Sequence, residues 1–447
     1  MSKAIKLSSL VIGFVVLISV FVSADTLYVS PDGSGDYPNI QAAVDAAQAG
    51  DIVMLADGTY RGRGNYDVSL LGKAITIRSQ SGTAGNVIVD VQGESGNMIS
   101  ERGFVATSGE GNDSVIRDLT IINGDADAPC PNCDGGGIYT EDSSPTIINV
   151  IFRDNFGSSG GGFGATGGSP LLRNCTFIDN SAFDGGGVYF FDGASGSVDH
   201  CLFYGNHADL HGAGISTLQN ASATVTSCTI SNNDAPYGGG ISVYDSDFDI
   251  CNTIISFNDS GEAVYYYGES SIAISYCDIF GNEGGDWTGE IANRLGVDGN
   301  FSGDPDFIDT LEADYHLVQG SPCIDSGDPT MPLDPDNTVS DIGAFFFNQA
   351  TGIDEQTASL PESFRLDQNY PNPFNPTTSI DYELRNASRV NLTVYDLLGN
   401  QVAVLVDNIE AAGSHNVVWN ADVPSGVYFY KMSVDGYSVT KKMVLMK

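Results

Sequence analysis

Basic residues are scarce in this chain of 447 residues, which carries 18 Lys and Arg against 57 Asp and Glu and a formal net charge of −39. From residue 174 to residue 293 there is no Lys and no Arg beside sixteen Asp and Glu. Cationic side chains hold the phosphates of nucleic acids, so we expect no nucleic-acid partner. A lyase that cuts uronic-acid chains needs a base and cations for the substrate carboxylates, which argues against a lyase site in this stretch.

Long apolar runs are also scarce, and the single clear one covers residues 10–22. Lys3 and Lys6 precede this run, and the small residues Ser23 and Ala24 follow it, as at a signal-peptidase site. The run is too short to cross a bilayer comfortably. We therefore expect residues 1–24 to be a cleaved export signal and the mature protein to contain no transmembrane span.

Cysteines number eight, and an exported protein is allowed to form disulfides. Cys130 and Cys133 lie in the segment APCPNCDGG, which is bounded by Pro and Gly. A redox CxxC pair normally sits in a βαβ context, which is missing here, so a local loop disulfide is the favoured interpretation. Four other cysteines recur with the repeat described next: Cys175, Cys201, Cys228 and Cys277.

A repeat of about 25 residues fills the middle of the chain. An asparagine recurs with spacings of 32, 25, 26, 27, 25 and 24, and glycine runs starting at residues 135, 160, 185, 212 and 238 keep the same period. Short β-type segments without helical periodicity at this period predict a β-solenoid, in which each repeat is one coil. We expect seven coils with the asparagines in register, and no phosphate cradle at the glycines because no helix pattern follows them. The asparagines are Asn123, Asn155, Asn180, Asn206, Asn233, Asn258 and Asn282.

The residues before the repeat predict a cap for the solenoid. Residues 27–62 contain a β segment, an amphipathic helix after Pro38 with apolar Ile40, Ala43, Val44 and Ala47, and a second strand. This stretch resembles the opening of the pectin-lyase-like, right-handed parallel β-helix proteins, which include pectin esterases and polysaccharide lyases. The resemblance covers about residues 25–348 and implies the fold. It does not imply esterase activity, because the catalytic segments of pectin esterases, QAVA, DFxFG and GRPW, are missing.

A second resemblance lies within the coils. The segments FRDN, FIDN and FYGN, which begin at residues 152, 177 and 203, match the pattern FxxN, and GGGI and GGGV approach GGA[ILV]. These paired motifs are similar to the repeats of chlamydial polymorphic outer-membrane proteins, which act as adhesins. The chain departs from that pattern by carrying Gly for Ala in most copies. The resemblance implies an extracellular solenoid and an adhesive role.

An acidic segment follows the coils. Residues 303–329 and 340–347 resemble the terminal segment of bacterial surface β-helix proteins, and Asp334, Asp336 and Asp341 crowd between and beside them. Carboxylate oxygens at this spacing are suited to calcium, the cofactor that the sequence suggests. The run lacks the complete calcium-loop pattern, so a solvated acidic loop is the favoured interpretation.

The composition changes after a polar linker at residues 349–364. Residues 365–447 alternate apolar and polar residues in about six strands, a pattern typical of a small immunoglobulin-like β-sandwich. The segments NYPNPFNPTT from residue 369, VYD from residue 394 and GVY from residue 426 resemble the type A C-terminal sorting domain of the type IX secretion system. The resemblance implies handling by that machinery, and passage through the periplasm to the medium or the outer surface of a Gram-negative bacterium.

One polar group in the coils is suited to catalysis. In the segment HADLH, the residues His207, Asp209 and His211 alternate, so an extended strand would place them on one face. Asp184 directly precedes the glycine run of one coil, and His211 directly precedes the glycine run of the next coil. Their equivalent positions would place the two side chains one strand spacing apart. A carboxylate beside an imidazole performs acid–base work or binds a metal. A solvated polar turn is the alternative.

Tyrosines suggest a sugar ligand. Tyr139 and Tyr189 hold equivalent places after their glycine runs, and Tyr237, Tyr244 and residues 265–267 continue a tyrosine-rich region. Flat amphipathic rings stack on pyranose faces, although some will simply pack. We favour a secreted or surface-displayed all-β solenoid that binds polysaccharide or acts as an adhesin without catalysis. A polysaccharide lyase or glycoside hydrolase and a structural matrix component are the alternatives.

Overall fold

The computed structural model describes residues 24–92, 101–126 and 134–349, and in the C-terminal region residues 364–366, 369, 372, 374–384, 388–395, 401–410, 413–421, 423–434 and 437–445. The chain divides into two compact units, residues 1–349 and 350–447. Most of the predicted export signal, the predicted Cys130–Cys133 loop and most of the predicted linker lie outside the described residues.

The first unit begins with the predicted cap. The strand Thr26–Val29 pairs in parallel with Ile52–Leu55, and the helix Ile40–Ala46 lies between them in sequence. Asn39 caps this helix, because its side-chain oxygen accepts a hydrogen bond of 2.9 Å from the backbone N–H of Ala42. Ile40, Ala43 and Val44 are fully buried in the core. The apolar spacing read from the sequence is therefore confirmed.

Beyond the cap the chain forms a right-handed β-solenoid of about nine turns. A typical coil runs through the strands Leu171–Arg173, Thr176–Ile178, Ser181–Asp184 and Val188–Phe191, which we assign to faces I, II, III and IV. Asn174 and Asp179 bend the backbone between faces I, II and III with positive φ values of 52° and 51°. Asn and Asp tolerate this left-handed conformation better than other side chains do, which explains their abundance at the corners.

The strands of each face pair in parallel from coil to coil. Face I consists of Thr26–Val29, Ile52–Leu55, Thr76–Ser79, Val115–Ile122, Thr146–Arg153, Leu171–Arg173, Ser195–Asp199, Ser222–Thr226, Asp247–Cys251 and Ser271–Ser275. Two of these strands, Val115–Ile122 and Thr146–Arg153, continue into face II. The other strands of face II are Gly58–Tyr60, Val87–Asp90, Thr176–Ile178, Leu202–Tyr204, Thr229–Ser231, Ile254–Ser256 and Asp278–Phe280.

Within the described ranges, face III contains four strands and face IV contains eight. Face III consists of Asp125–Ala126, Phe156–Ser159, Ser181–Asp184 and His207–His211. Face IV consists of Val68–Ser69, Phe104–Ala106, Ile138–Glu141, Phe163–Thr166, Val188–Phe191, Ile215–Leu218, Ile241–Tyr244 and Val264–Tyr267. Two 3-10 helices, Ala84–Asn86 and Gly289–Arg294, and an antiparallel pair, Phe307–Asp309 with Asp314–Leu317, complete the regular structure of this unit.

A ladder of buried asparagines runs along the solenoid, as the period predicts. The Nδ2 of Asn180 donates to Oδ1 of Asn206 over 3.0 Å, and the Nδ2 of Asn206 donates to Oδ1 of Asn233 over 2.9 Å. The ladder extends from Asn155 to Asn282. The prediction for Asn123 was wrong by one residue, because the ladder position in that coil belongs to Gly124, whose N–H donates to Asn155. Asn123 instead takes a positive φ and donates to Asp90.

Other columns of identical side chains fill the core. Phe152, Phe177 and Phe203 stack with ring centroids 4.7 and 4.6 Å apart and planes nearly parallel. Cys175, Cys201 and Cys228 form a column of free buried thiols, and burial raises the pKa of the Cys175 thiol. This spacing follows from the strand separation of roughly 4.8 Å, which brings equivalent side chains into van der Waals contact.

The glycine runs let the coils approach closely between faces III and IV. Gly185 has a φ of +67°, which favours glycine. A Cβ atom on Gly187 would lie 2.6 Å from the carbonyl oxygen of Gly214 and 2.9 Å from the Phe203 ring. The repeated triplet is therefore a packing requirement of the solenoid.

The segment after the last coil folds back over face II and reaches the corners on both of its sides. The N–H of Ala344 donates to Oγ1 of Thr229, and the Tyr315 hydroxyl donates to Oδ1 of Asn232. Cys323 lies fully buried and donates its S–H to Oδ2 of Asp278 over 3.3 Å. These contacts join residues about 45 to 115 positions apart in sequence.

The second unit consists of two antiparallel sheets, which agrees with the predicted small β domain. The first sheet contains Phe364–Leu366, Thr377–Leu384 and Gly413–Asn420, and the second contains Gln401–Glu410, Ser388–Tyr395, Gly426–Val434 and Tyr437–Leu445. The NYPNPF motif is tied into this unit, because the buried N–H of Asn369 donates to the Tyr430 hydroxyl over 2.9 Å. Phe374 of the same motif is buried against Trp419.

Candidate functional site

Asp184 and His211 lie side by side where face III ends. His211 is paired with Asp184 across adjacent parallel strands, and its Nδ1 lies 2.7 Å from Oδ1 of Asp184. The Asp184 side chain is 17% exposed and the His211 side chain 31%. Burial raises the pKa of the Asp184 carboxyl, and the contact with His211 offsets part of this rise. The period alone predicted this pair, and the geometry confirms it.

The other two residues of the HADLH segment are arranged differently. Asp209 Oδ1 and Asp234 Oδ2 lie 3.3 and 3.0 Å from the two ring nitrogens of His207. A β-bulge shifts the register between the paired strands Ser181–Asp184 and His207–His211 of face III, so that Asp184 pairs with His211 while Ala182 pairs with Ala208. His207 and Asp209 therefore interact as a strand predicts, whereas His211 contacts Asp184.

Four tyrosines follow His211 along the later coils and form one surface, which we call the tyrosine platform: Tyr237, Tyr244, Tyr265 and Tyr267. Neighbouring ring centroids lie 5.1 to 6.5 Å apart. The His211 ring lies 5.5 Å from Tyr237 and 6.0 Å from Tyr265, so the Asp184–His211 pair adjoins the platform. Tyr237 is 44% exposed and Tyr267 56%, which leaves aromatic surface open to solvent.

Tyr139 and Tyr189 share one column of face IV, as the sequence predicts, with Gly164 between them. Tyr189 is only 5% exposed and stacks on Phe191, and burial raises the pKa of its hydroxyl. Tyr139 lies beneath the guanidinium of Arg102, whose carbon is 5.4 Å from the ring centroid. Tyr189 therefore offers little open surface for a sugar, whereas Tyr139 is half-buried.

The carboxylates of the predicted calcium ligands accept hydrogen bonds from N–H and O–H groups of the same loop. Asp334 accepts from the N–H of Asp341, and Asp336 accepts from Thr338 and Gln349. Asp341 accepts from Asp325 and Phe347, and burial raises its pKa to about 6. Among the residues that the structure describes, no group of three or more His, Cys, Asp or Glu side chains is arranged to hold a metal. The geometry therefore gives the calcium site no support.

A groove of about 670 Å³, which the sequence did not suggest, lies between the returning segment and the corner of faces I and II. Asp199 and His200 line one side, and His316 and Phe345 line the other. Asp199 bridges Arg173 and His200 at 2.9 and 2.7 Å. Although burial opposes it, hydrogen bonds from His200 and Arg173 lower the pKa of Asp199. No local sequence signal marks this groove, since its two sides come from segments over 100 residues apart.

Comparison with known proteins places these features in a family. The family model described as right-handed β-helix region matches residues 69–216 and 136–302, which together cover just over half of the chain. The chain therefore belongs to the right-handed β-helix family. A second model, the secretion system C-terminal sorting domain, matches residues 368–446. No curated protein sequence matches the chain.

The sorting domain indicates export by the type IX secretion system to the cell surface or the medium. In the described part of the chain, no helix has the length and apolar character needed to cross a membrane.

Proposed function

We propose that this protein is a secreted or surface-displayed β-helix that binds polysaccharide through the tyrosine platform and acts as an adhesin without catalysis. The observation that carries the proposal is the run of partly exposed tyrosine rings on the later coils. Tyrosine faces stack on the C–H faces of pyranose rings while their hydroxyls hydrogen-bond to the sugar. A rigid row of rings spaced by the coils is suited to consecutive sugars of a chain, because little side-chain entropy is lost on binding.

Export supports the same role. A protein carried to the cell surface meets extracellular glycans, and the sorting domain supplies the route. On this proposal the chain crosses the periplasm of a Gram-negative bacterium, loses the C-terminal domain, and is then released or attached outside.

Glycan binding is tested by substitution within the platform. Tyr237→Ala and Tyr267→Ala should each weaken binding on a glycan array by about 1 kcal/mol, roughly fivefold in Kd, through lost stacking. Tyr28→Ala is the matched control, because Tyr28 is 46% exposed but lies in the first strand of face I. Equal effects of all three changes, or no bound glycan at all, would refute the proposal.

Glycoside hydrolysis is the second candidate, and the Asp184–His211 pair beside the platform favours it. A carboxyl group with a raised pKa is suited to act as a general acid, and the imidazole would orient it. If the chain is a hydrolase, His211→Ala and Asp184→Asn should abolish release of reducing sugar while platform binding persists. If it is a binder, no reducing sugar or unsaturated uronate forms, and His211→Ala changes glycan affinity by no more than about threefold.

A further inference from the structure

The surroundings of the tyrosine platform carry an unusual charge balance. All four platform residues fall in the stretch from residue 174 to residue 293, which contains no Lys and no Arg. Asp209 and Asp234 flank His207, and their side chains are 68% and 47% exposed. His207 begins the strand that His211 ends, and the next coil pairs Asp234 with His207 and Tyr237 with His211. These carboxylates give the side of the solenoid that carries the platform a negative potential.

Further carboxylates reinforce this potential. After burial, the charge of Glu262 is the largest influence that raises the pKa of Tyr265. Asp259 also has a raised pKa, caused by burial and then by the charges of Asp234 and Glu283. The Asp259 shift is consistent with repulsion among neighbouring carboxylates.

The groups that could offset this charge are few. His207 lies between two carboxylates and His211 contacts a third. Arg294 follows in the 3-10 helix Gly289–Arg294, which packs against the strand Val264–Tyr267 and also carries Glu290. Taken together, the acidic residues Asp209, Asp234, Glu262 and Glu290 outnumber the single Arg294 around the platform.

Resting on the proposed function, we infer that the platform selects polysaccharides whose sugars carry free amino groups, in preference to neutral and to uronic-acid polymers. Two independent features favour a protonated amine. The carboxylates of Asp209 and Asp234 attract it, and the electron-rich faces of Tyr237 and Tyr267 bind it by cation–π contact. A uronate would be repelled by the first feature and by the second, and would find no basic partner between residues 174 and 293.

The test compares three oligosaccharides of equal length: a glucosamine hexamer, an N-acetylglucosamine hexamer and a galacturonate hexamer. Calorimetry is run on the mature chain at low ionic strength, below the pKa of the amines. We expect the glucosamine hexamer to bind at least about tenfold more tightly than its acetylated form, and the galacturonate hexamer not to bind. Added salt should reduce the preference to about threefold or less, because exposed charges are screened.

Matched variants locate the effect. Asp209→Asn with Asp234→Asn should weaken glucosamine binding by roughly threefold to tenfold and leave N-acetylglucosamine binding unchanged. Asp249→Asn is the control. Asp249 is exposed on face I, so this substitution removes one charge from another side of the solenoid. If Asp249→Asn weakens glucosamine binding as much per charge removed, the preference belongs to the net charge and the inference is overturned.

The outcomes separate this inference from the proposed function. Equal affinity for the two hexamers, with both sensitive to Tyr237→Ala, overturns the amine preference and supports glycan binding by the platform. If neither Tyr237→Ala nor Tyr267→Ala weakens the binding of either hexamer, the amine preference and glycan binding by the platform are both overturned. Binding of galacturonate as tight as that of glucosamine overturns the amine preference alone.

Discussion

The asparagine ladder should contribute more stability at its centre than at its end, and the substitution Asn206→Ala measures this. Asn206 accepts through Oδ1 from both the N–H and the Nδ2 of Asn180, at 3.1 and 3.0 Å. All of these atoms belong to residues with 0% exposure. Removing the amide therefore leaves two buried donors without their acceptor.

The end of the ladder provides a matched comparison in Asn155→Ala. Asn155 is 1% exposed, and its Oδ1 accepts only the N–H of Gly124 among the described residues. The substitution creates a cavity of the same size but leaves a single backbone donor without its acceptor. A buried unsatisfied group costs about 1 to 3 kcal/mol. We therefore expect a loss of about 4 kcal/mol in the free energy of unfolding for Asn206→Ala and about 2 kcal/mol for Asn155→Ala.

Urea unfolding measures both losses. The chain contains two tryptophans, so a Trp419→Phe background leaves Trp287, which packs against the solenoid core, as the fluorescent reporter. Far-UV circular dichroism on the same samples checks that one cooperative transition is observed. Equal losses for the two variants, or a loss below about 1 kcal/mol for Asn206→Ala, would show that the ladder hydrogen bonds do not stabilise the coils in this way.

Three further outcomes follow from the structure. Gly187→Ala should destabilise the solenoid by several kcal/mol, since the new Cβ would meet Gly214 and Phe203, whereas Gly193→Ala, with open space but a φ of +78°, should cost only about 1 to 2 kcal/mol in a thermal melt. Burial raises the pKa of Asp278 to about 7 in the folded protein, so its contribution to stability is complete below about pH 4 and is lost as the pH rises towards 7. Asp278→Asn should therefore raise the melting temperature more at pH 8 than at pH 4. A difference that does not depend on pH would contradict this. Deletion of residues 361–447 should leave the solenoid folded but retained in the periplasm of a host with type IX secretion, and normal surface display of the truncated protein by immunofluorescence would contradict it.

The sequence predicted the solenoid because its period repeats the same physical requirement in every coil. An inward asparagine, a buried Phe or Ile three residues before it and a close glycine approach recur along the coils, so each landmark supports the others. Asn123 shows the limit of this reasoning. The longer first repeat contains both Asn123 and Gly124, and residue type alone favoured the asparagine, whereas the parallel pairing of Phe156 with Asp125 places Gly124 in register.

The contact between Asp184 and His211 was predictable because it depends on neighbouring coils. Asp184 and His211 stand one strand spacing apart by the period, so their contact followed from counting. The bulge in HADLH did not, because a single extra residue changes which side chains share a face without altering the composition. The exposure of Tyr189 was not predictable either. Its equivalence to Tyr139 places it in the same column, but its burial depends on Phe191 and other neighbouring side chains.

The groove beside the returning segment lies beyond any repeat-based prediction for a different reason. Within the coils, contacts join residues about 25 positions apart, and the period fixes them in advance. The returning segment has no period, and its position depends on contacts such as Ala344 with Thr229 and Asn252 with Ser340, which join residues 115 and 88 positions apart. The segment also packs on the coils, since Leu317, Cys323 and Ile342 form a small core with Ile254 of face II. The groove and the tyrosine platform are built from different residues, which makes the two surfaces separable by substitution.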